Sequence, residues 1–304
     1  MPQLRIGLAQ MNAVVGDIAG NLESALKWCA QAAESGCHLV VLPEMVLTGY
    51  PVEDLALRKS FQSFSKSAAE QLAHRLKAQG LGDLVVVFGY LDSIAETAKL
   101  GEPIGKPLNA AAVAFNGEIQ ARYFKHHLPN YGVFDEYRYF VPGTESTAIR
   151  VAGINIVLSI CEDIWQEGGP VARVAGQDAG LLLVLNGSPF EVNKEDERFA
   201  LVKARAIAAN TSIAYVNLVG GQDELVFDGD SMVVSNTGEL LSRAPMFSEG
   251  LLVTDLDLPS AALSDTLTDG TPIKVLSEWP VSPYAPTKGV IAQRPNDVEL
   301  QYQA

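Results

Sequence analysis

Cysteine and histidine are scarce in this sequence of 304 residues, which contains three of the first and four of the second. Cys29, Cys37 and Cys161 are an odd number without paired spacing, so we expect neither a disulfide framework nor a zinc ribbon. The histidines show no metal-ligand spacing either, and we predict no metal site. A glycine loop that would cradle a phosphate is also missing, because Gly168-Gly169 and Gly220-Gly221 lack the required pattern.

Long apolar runs and an excess of basic residues are absent as well. No run approaches the roughly 18 apolar residues of a membrane span, and residues 1–6 lack the form of a signal peptide. Lysine and arginine number 22 against 36 acidic residues, which gives a formal net charge of −14. Such a chain repels nucleic acid and anionic membranes. We therefore predict a soluble, cytoplasmic protein with no nucleic-acid or membrane partner.

The distribution of apolar residues predicts one large domain. Hydrophobic residues make up 48% of the sequence, which is enough for a sizeable core. Strand and helix patterns extend from residue 4 to about residue 257, and the periodicity fades after about residue 259. Four prolines then mark an extended segment: Pro272, Pro280, Pro283 and Pro286. We predict a domain over residues 1–258 and an extended tail or linker over residues 259–304.

Apolar periodicity predicts helices and strands in an irregular alternation. Helices are expected near residues 22–35, 60–79 and 196–210, with Asn21 as the N-cap of the first. Strands are expected near residues 4–10, 38–42, 84–89, 110–115, 118–124, 154–160, 181–185, 213–218 and 251–256. Asn116-Gly117 is a strong hairpin signal, because both turn positions require a positive φ. Since hairpins interrupt the alternation, we predict an α+β fold with a pair of mixed sheets and outer helices.

The expected strand at residues 154–160 ends in a lone cysteine. Isoleucine and leucine recur at period two along this strand and share one of its faces. The thiol of Cys161 therefore stands at the carboxyl end of a strand, where open α/β sheets bind their ligands. Glu162 and Asp163 follow directly, and acidic residues fit poorly in a core and are natural in a cleft. The alternative is that Cys161 is a small buried hydrophobic residue, as most free cysteines are.

Glu44 and Lys125 also follow expected strands, the first after residues 38–42 and the second after residues 118–124. A thiol attacks an amide carbon as its thiolate and needs a base that accepts its proton, a role that suits Glu44. The tetrahedral intermediate carries an oxyanion, which the Lys125 ammonium and a backbone N–H after Cys161 would stabilise. These three residues predict acyl transfer through a thioester, with release of ammonia or an amine. The alternative for Glu44 is that it only caps a loop.

Three segments of the sequence together resemble the signatures of the nitrilase, or carbon–nitrogen hydrolase, superfamily. They are Leu39-Val-Val-Leu-Pro-Glu44, Tyr123-Phe-Lys125 with His-Leu-Pro behind it, and Leu158-Ser-Ile-Cys161-Glu-Asp. The resemblance covers residues 4 to about 257 and implies a four-layer α-β-β-α sandwich. It makes Glu44 the general base, Lys125 the oxyanion stabiliser and Cys161 the nucleophile. Glu136 matches a further catalytic-site glutamate that many members hold beside the lysine and the cysteine.

Within this superfamily, the sequence is similar to the glutaminase domain of glutamine-dependent NAD synthetases. The similarity is carried by residues 125–140, by Asn186-Gly-Ser188-Pro-Phe190 and by residues 220–229. It implies that L-glutamine is the substrate and that its contacts include Tyr131, Ser188, Lys194 and Glu162. A basic side chain suits the α-carboxylate of glutamine, and hydroxyl groups suit its other polar atoms. The alternatives for Ser188 and Lys194 are an ordinary turn and a solvated loop charge.

Full-length members of that branch continue into an ATP-dependent synthetase domain with a Ser-Gly-Gly-x-Asp-Ser type pyrophosphate loop, and this motif does not occur here. We therefore expect an isolated glutaminase portion or a split subunit that needs no cofactor of its own. ATP and deamido-NAD would enter only with the absent synthetase domain, which is the implied partner and amidates deamido-NAD to NAD. The resemblance also implies a homo-oligomer. Two other functions stay open: a stand-alone amidase or carbamoylase of the superfamily, and a non-catalytic interaction module.

Overall fold

The computed structural model describes residues 3–95, 99–191, 194–262, 264–277, 287 and 289–295, without the side chains of residue 3 and residues 194–196. Its strands are β1 (Gln3–Gln10), β2 (Leu39–Val41), β3 (Val85–Ser93), β4 (Pro107–Phe115), β5 (Glu118–Phe124), β6 (Ala148–Val151), β7 (Ile154–Ile160), β8 (Leu181–Asn186), β9 (Ser212–Asn217), β10 (Val219–Gln222), β11 (Leu225–Asp228), β12 (Met232–Val234), β13 (Leu240–Arg243), β14 (Gly250–Asp257) and β15 (Ile273–Val275). Its α-helices are α1 (Ile18–Glu34), α2 (Lys59–Ala78), α3 (Glu136–Tyr139), α4 (Glu162–Trp165), α5 (Gly169–Val174) and α6 (Lys194–Ala209), and a 3₁₀ helix spans Glu53–Leu57. Among the described helices, none combines the length and the apolar character that crossing a lipid bilayer requires.

Two mixed sheets form the inner layers of the fold. The first has the strand order β14-β1-β2-β3-β4-β5, and the second has the order β13-β12-β9-β8-β7-β6-β15. Strands β1, β2 and β3 run parallel to one another, and so do β7, β8 and β9. Because β4 is antiparallel to both β3 and β5, the carboxyl ends of β2, β3 and β5 lie at one edge of the first sheet, together with the start of β4.

Three of the four buried apolar clusters among the described residues hold the layers together. The central cluster lies between the sheets and contains Leu8 and Val87 from the first sheet and Leu158 from the second. A second cluster joins the first sheet to α1 and α2, and a third joins the second sheet to α4, α5 and α6. Every side chain of β7 and β8 is buried, because each of these strands has a sheet on one face and helices on the other. This arrangement confirms the predicted α+β fold with four layers in the order α-β-β-α.

The first helix begins earlier than the sequence predicts. The N-cap of α1 is Asp17, whose carboxylate accepts a hydrogen bond from the backbone N–H of Gly20. Asn21 is therefore not the N-cap. Its buried side chain instead bonds both the N–H and the carbonyl of Val14 and so holds the preceding loop against the helix. Two cap-forming residues lie within one turn here, and only tertiary contacts decide between them.

Several of the described residues after 259 pack against the second sheet. β15 extends this sheet by pairing in parallel with β6. Farther along, Arg243 N donates to Val290 O and Ala292 N donates to Arg243 O, so this segment lies beside β13. Arg294 also donates to Asp230, which pairs with Arg243 in a buried cluster. The sequence predicted no strand in this region, and the domain boundary at residue 258 stays a prediction.

Candidate active site

Glu44 stands in a buried turn at the carboxyl end of β2. Gly89 of β3 packs against this turn, and a Cβ at that position would overlap the backbone of the turn, so glycine is required. The Glu44 carboxylate is completely buried. Its Oε1 accepts hydrogen bonds from Lys125 Nζ at 2.8 Å and Asn109 Nδ2 at 2.7 Å, and its Oε2 accepts one from Gly187 N at 2.7 Å. Three donors therefore fix the orientation of this carboxylate.

Lys125 follows β5 and is the centre of a buried charge cluster. Its Nζ lies 2.8 Å from Glu44 Oε1, and it lies 3.0 Å and 2.9 Å from the two carboxylate oxygens of Glu136. Its backbone is fixed as well, since its N–H donates to Asn109 O and its carbonyl accepts from Gly143 N. Burial alone would lower the pKa of Lys125, but Glu136 and Glu44 raise that pKa well above its ordinary value. The side chain is therefore a charged ammonium.

Glu136 opens α3 and forms the other side of the lysine site. Its carboxylate is almost completely buried, and its Oε1 accepts a hydrogen bond from the Tyr50 hydroxyl at 2.8 Å. Burial raises the pKa of Glu136 to about 7, with Lys125 opposing this rise and Glu44 adding to it. Lys125 Nζ therefore lies between two buried carboxylates, those of Glu44 and Glu136, and contacts both.

Cys161 occupies a sharp turn between β7 and α4. Its φ of 42° and ψ of −97° are unusual for a residue with a Cβ, and its N–H donates to Leu185 O at 2.9 Å. Burial raises the pKa of the Cys161 thiol well above its ordinary value, the carboxylate of Glu44 raises it further, and Lys125 opposes the rise. The resting thiol is therefore protonated, and a nucleophilic attack would require a base that takes the proton.

Asp163 connects the cysteine turn to the segment that carries the lysine. Its Oδ2 accepts hydrogen bonds from Tyr123 OH at 2.6 Å and Ile160 N at 2.9 Å. Its Oδ1 accepts hydrogen bonds from His126 N at 3.1 Å and His127 N at 2.9 Å. Our expectation that Asp163 lines a cleft is wrong, because this side chain is fully buried. Four donors replace the water that an exposed carboxylate would bind.

Two of the predicted substrate-binding residues contact each other. The Tyr131 hydroxyl donates to Glu162 Oε2 at 2.8 Å, and Gln166 Nε2 donates to Glu162 Oε1 at 2.5 Å. The Tyr131 side chain is 54% exposed, whereas Glu162 is buried. This pair therefore extends from the cysteine turn to the surface of the protein.

The other two predicted substrate-binding residues follow β8. Ser188 is buried, its N–H donates to Asn217 Oδ1 at 2.9 Å, and its carbonyl accepts from Asn217 Nδ2 at 3.1 Å. The Asn217 amide also donates to Gly229 O, so this backbone is held from two sides. Lys194 begins α6, and its side chain lies outside the described part of the structure.

The structure brings four predicted catalytic residues to one site: Glu44, Lys125, Glu136 and Cys161. Three further residues at this site were not predicted: Asn109, Tyr50 and Asn217. Asn109 is the only polar residue of β4, and this isolation among apolar residues was the one signal that sequence reasoning could have used to find it. Within the described residues, no group of three or more histidine, cysteine, aspartate or glutamate side chains is arranged to hold a metal ion. The chemical roles of the site residues stay predictions.

The sequence matches known proteins over most of its length. A family model described as carbon-nitrogen hydrolase matches residues 5–264. A glutamine-dependent NAD(+) synthetase from Thermotoga maritima is 40% identical over 259 residues, which are 85% of this chain and 43% of that protein. The chain thus spans less than half the length of the curated relatives that it matches. These matches confirm the resemblance predicted from the three motifs.

Solved structures share the fold. A glutamine-dependent NAD+ synthetase from Acinetobacter baumannii, in complex with ADP, superposes with a TM-score of 0.75 at 33% identity, covering 86% of this chain and 48% of that one. A variant of an amidase from Nesterenkonia sp. AN1 superposes with a TM-score of 0.69 at 27% identity, covering 84% of this chain and 91% of that one. In that amidase, the acetamide moiety of fluoroacetamide is covalently added at the active site cysteine.

Proposed function

This chain belongs to the carbon–nitrogen hydrolase family, and we propose that it hydrolyses the side-chain amide of L-glutamine to glutamate and ammonia through a thioester on Cys161. One observation carries the proposal: a buried ammonium, Lys125, is held between Glu44 and Glu136, and both Lys125 and Glu44 act electrostatically on the buried thiol of Cys161, which lies on a sharp turn. A base, a cation and a nucleophile in one buried site are the groups that acyl transfer requires.

The proposed reaction begins with attack by Cys161 Sγ on the amide carbon while Glu44 accepts the thiol proton. The oxyanion that forms is stabilised by Lys125 and by the backbone N–H of Glu162. Glu44 then returns the proton to the leaving nitrogen, the carbon–nitrogen bond breaks, and ammonia departs. A water molecule, deprotonated by the same carboxylate, attacks the thioester carbon. The carbon–sulfur bond breaks, Glu44 returns this proton to Cys161 Sγ, and glutamate is released. The cysteine adduct of the neighbouring amidase supports this role of the thiol.

Recognition of glutamine is proposed to use the residues at the mouth of the site. Glu162 supplies a buried carboxylate for the α-ammonium group, and Tyr131 holds that carboxylate through its hydroxyl. Ser188 contributes a hydroxyl group, and Lys194 contributes a cation for the α-carboxylate. An amide without an α-ammonium group leaves Glu162 without a charged partner, so its affinity should be lower.

Ammonia release from a panel of amides tests the proposal. The panel contains L-glutamine, L-asparagine, butyramide and 4-carbamoylbutanoate, which is glutamine without its α-amino group. We expect kcat/KM for glutamine to exceed the others by about 10-fold or more, since one charged contact contributes about 1.5–3 kcal/mol. Cys161→Ala should abolish release.

Matched variants separate recognition from chemistry. Glu162→Gln should reduce the preference for glutamine over 4-carbamoylbutanoate, whereas Glu167→Gln, at an exposed position nearby, should preserve it. Equal rates with all four amides would favour the stand-alone amidase. An inert protein whose Cys161 still reacts with iodoacetamide would favour the non-catalytic module.

We also propose that the released ammonia serves an NAD synthetase domain, which uses ATP to amidate deamido-NAD. A glutaminase without an acceptor wastes ammonia, so the synthetase should increase glutaminase turnover when it is loaded, by about 1–3 kcal/mol of coupling. We expect the synthetase portion with ATP and acceptor to raise kcat more than it lowers KM. Equal kcat with and without that portion would contradict this coupling. Light scattering tests the further proposal that the chain forms a homo-oligomer.

A further inference from the structure

We infer that Asn109 is a positioning residue that determines which oxygen of Glu44 accepts the thiol proton, an inference that rests on the proposed function. Asn109 lies near the start of β4 and is 1% exposed. Its Nδ2 lies 2.7 Å from Glu44 Oε1 and 3.5 Å from Glu136 Oε1, and its carbonyl accepts from Lys125 N at 2.9 Å. This one residue therefore contacts all three charged residues of the site.

The orientation of the Asn109 amide follows from its neighbours. Both nearby acceptors are carboxylate oxygens, so only the NH₂ group can face them. The opposite atom, Oδ1, is buried and has no hydrogen-bond partner within the described residues. An unpaired buried carbonyl oxygen costs free energy, which a side chain kept only for packing would avoid. The unpaired Oδ1 thus indicates that the NH₂ donor is what this position provides.

Counting lone pairs on Glu44 identifies the reacting oxygen. Each carboxylate oxygen has two acceptor positions. Lys125 and Asn109 occupy both positions of Oε1, whereas Gly187 N occupies one position of Oε2. Among the described residues, no donor occupies the second position of Oε2, so the S–H bond of Cys161 breaks as an O–H bond forms at Oε2. Without the Asn109 donor, Oε1 also has a free acceptor position. The carboxylate then has two positions that can accept the thiol proton, and only one of them, on Oε2, is the reacting one.

The Asn109 side chain is uncharged, and this matters to the buried charge cluster as much as its hydrogen-bond donor. The cluster already contains two carboxylates and one ammonium in a buried site. An amide adds a hydrogen bond to this cluster without adding charge. Aspartate has nearly the same shape, but it would remove the donor and place a third carboxylate beside Glu44 and Glu136. Asn109→Asp is therefore the most informative substitution.

Alkylation of Cys161 by iodoacetamide tests the inference without relying on glutamine hydrolysis. The rate of alkylation follows the deprotonation of the thiol. Intact-mass spectrometry measures the alkylated fraction, and subtracting the alkylation of the Cys161→Ala variant leaves the contribution of Cys161 alone. We expect Asn109→Asp to move the pH of half-maximal alkylation upward by about one unit. We also expect its kcat for glutamine to fall about 10²-fold, with KM changed less than about threefold.

Asn155→Asp is the matched control. Asn155 is also a buried asparagine, which binds Arg150 and the carbonyl of Asp178. It lies at the other end of β7 from Cys161, about 20 Å away at about 3.3 Å per residue. This variant should keep both the alkylation profile and kcat of the parent protein.

The alkylation and kinetic results of the Asn109 variants decide whether the positioning role and the proposed function hold. Parental alkylation and parental kcat in both Asn109→Asp and Asn109→Ser would overturn the inference. If the parent releases no ammonia from any amide while Asn109→Asp shifts the alkylation profile, the proposed function fails and the positioning role stands. If Asn109→Asp does not fold, Asn109→Ser gives the answer, because its shorter hydroxyl side chain does not reach Glu44.

Discussion

Replacement of Glu136 by glutamine should change how stability depends on pH. Burial raises the pKa of Glu136 to about 7 in the folded protein, above its ordinary value of 4.5. Folding therefore favours the protonated form. The stability that this protonation contributes is fully present below about pH 4.5, and it is lost as the pH rises through about 7. Glu136→Gln keeps the shape of the protonated carboxyl group and does not titrate.

The magnitude follows from the two pKa values. The difference between about 7 and 4.5 corresponds to about 3 kcal/mol, since each pKa unit is worth about 1.4 kcal/mol. The free energy of unfolding of Glu136→Gln, minus that of the parent, should thus rise by about 2–3 kcal/mol between about pH 5 and pH 8. Taking the difference removes the contribution of every group that titrates equally in both proteins.

Urea unfolding followed by tryptophan fluorescence at several pH values measures this difference. Glu34→Gln is the control, because it makes the same substitution at an exposed position, where burial does not act on the carboxyl group. A Glu136→Gln difference that stays constant within about 0.5 kcal/mol would refute the reasoning, because burial would then not set the protonation of this carboxyl group.

Three further substitutions have defined outcomes. Lys125→Met leaves two buried carboxylates without their cation, so urea unfolding should show a free energy of unfolding that is lower by about 3–5 kcal/mol. Ammonia release should show a fall in kcat of about 10²–10³-fold. An unchanged free energy of unfolding would contradict the buried pairing. Tyr131→Phe removes the donor to Glu162, so steady-state kinetics should show a rise in KM for glutamine of about 5–10-fold with little change in kcat. Gly187→Ala places a Cβ 2.9 Å from Tyr50 Cδ1 and 3.3 Å from Glu44 Oε2, so kcat for ammonia release should fall by about 10-fold or more. A parental kcat would argue against the proposal that a fixed Glu44 carboxylate acts as the base.

The site residues that the apolar pattern predicted are those that follow an expected strand. Glu44, Lys125 and Cys161 each follow such a strand. The strands β2 and β5 bring Glu44 and Lys125 to one edge of the first sheet, and β7 carries Cys161 in the second sheet, which packs against the first. Asn109 was not predicted because its contact with Glu44 depends on the pairing of β4 with two neighbours, which local sequence does not specify. The sequence placed Asp163 in a cleft because its hydrogen bonds to Tyr123, His126 and His127 are also tertiary contacts, which local sequence does not specify.

The helices and strands also divide into those that local sequence predicted and those that depend on distant contacts. Strong apolar periodicity predicted the long helices and the central strands, and the Asn116-Gly117 turn has the expected positive φ at both positions. β15 escaped prediction because it is three residues long and its partner β6 lies more than a hundred residues earlier in the chain. The exact start of α1 depended on side-chain contacts across a loop, which periodicity does not contain.

The backbone conformation of Cys161 links reactivity to the integrity of the fold. A φ of 42° at a residue with a Cβ costs about 1–3 kcal/mol, so the isolated segment would not adopt it. The pairing of β7 with β8 and the hydrogen bond from Cys161 N to Leu185 O maintain it. Opening of this edge would remove both constraints, and Cys161 would leave the turn conformation that its proposed role as nucleophile requires. The proposed reactivity of Cys161 therefore depends on the pairing of β7 with β8 and not on the sequence of the turn alone.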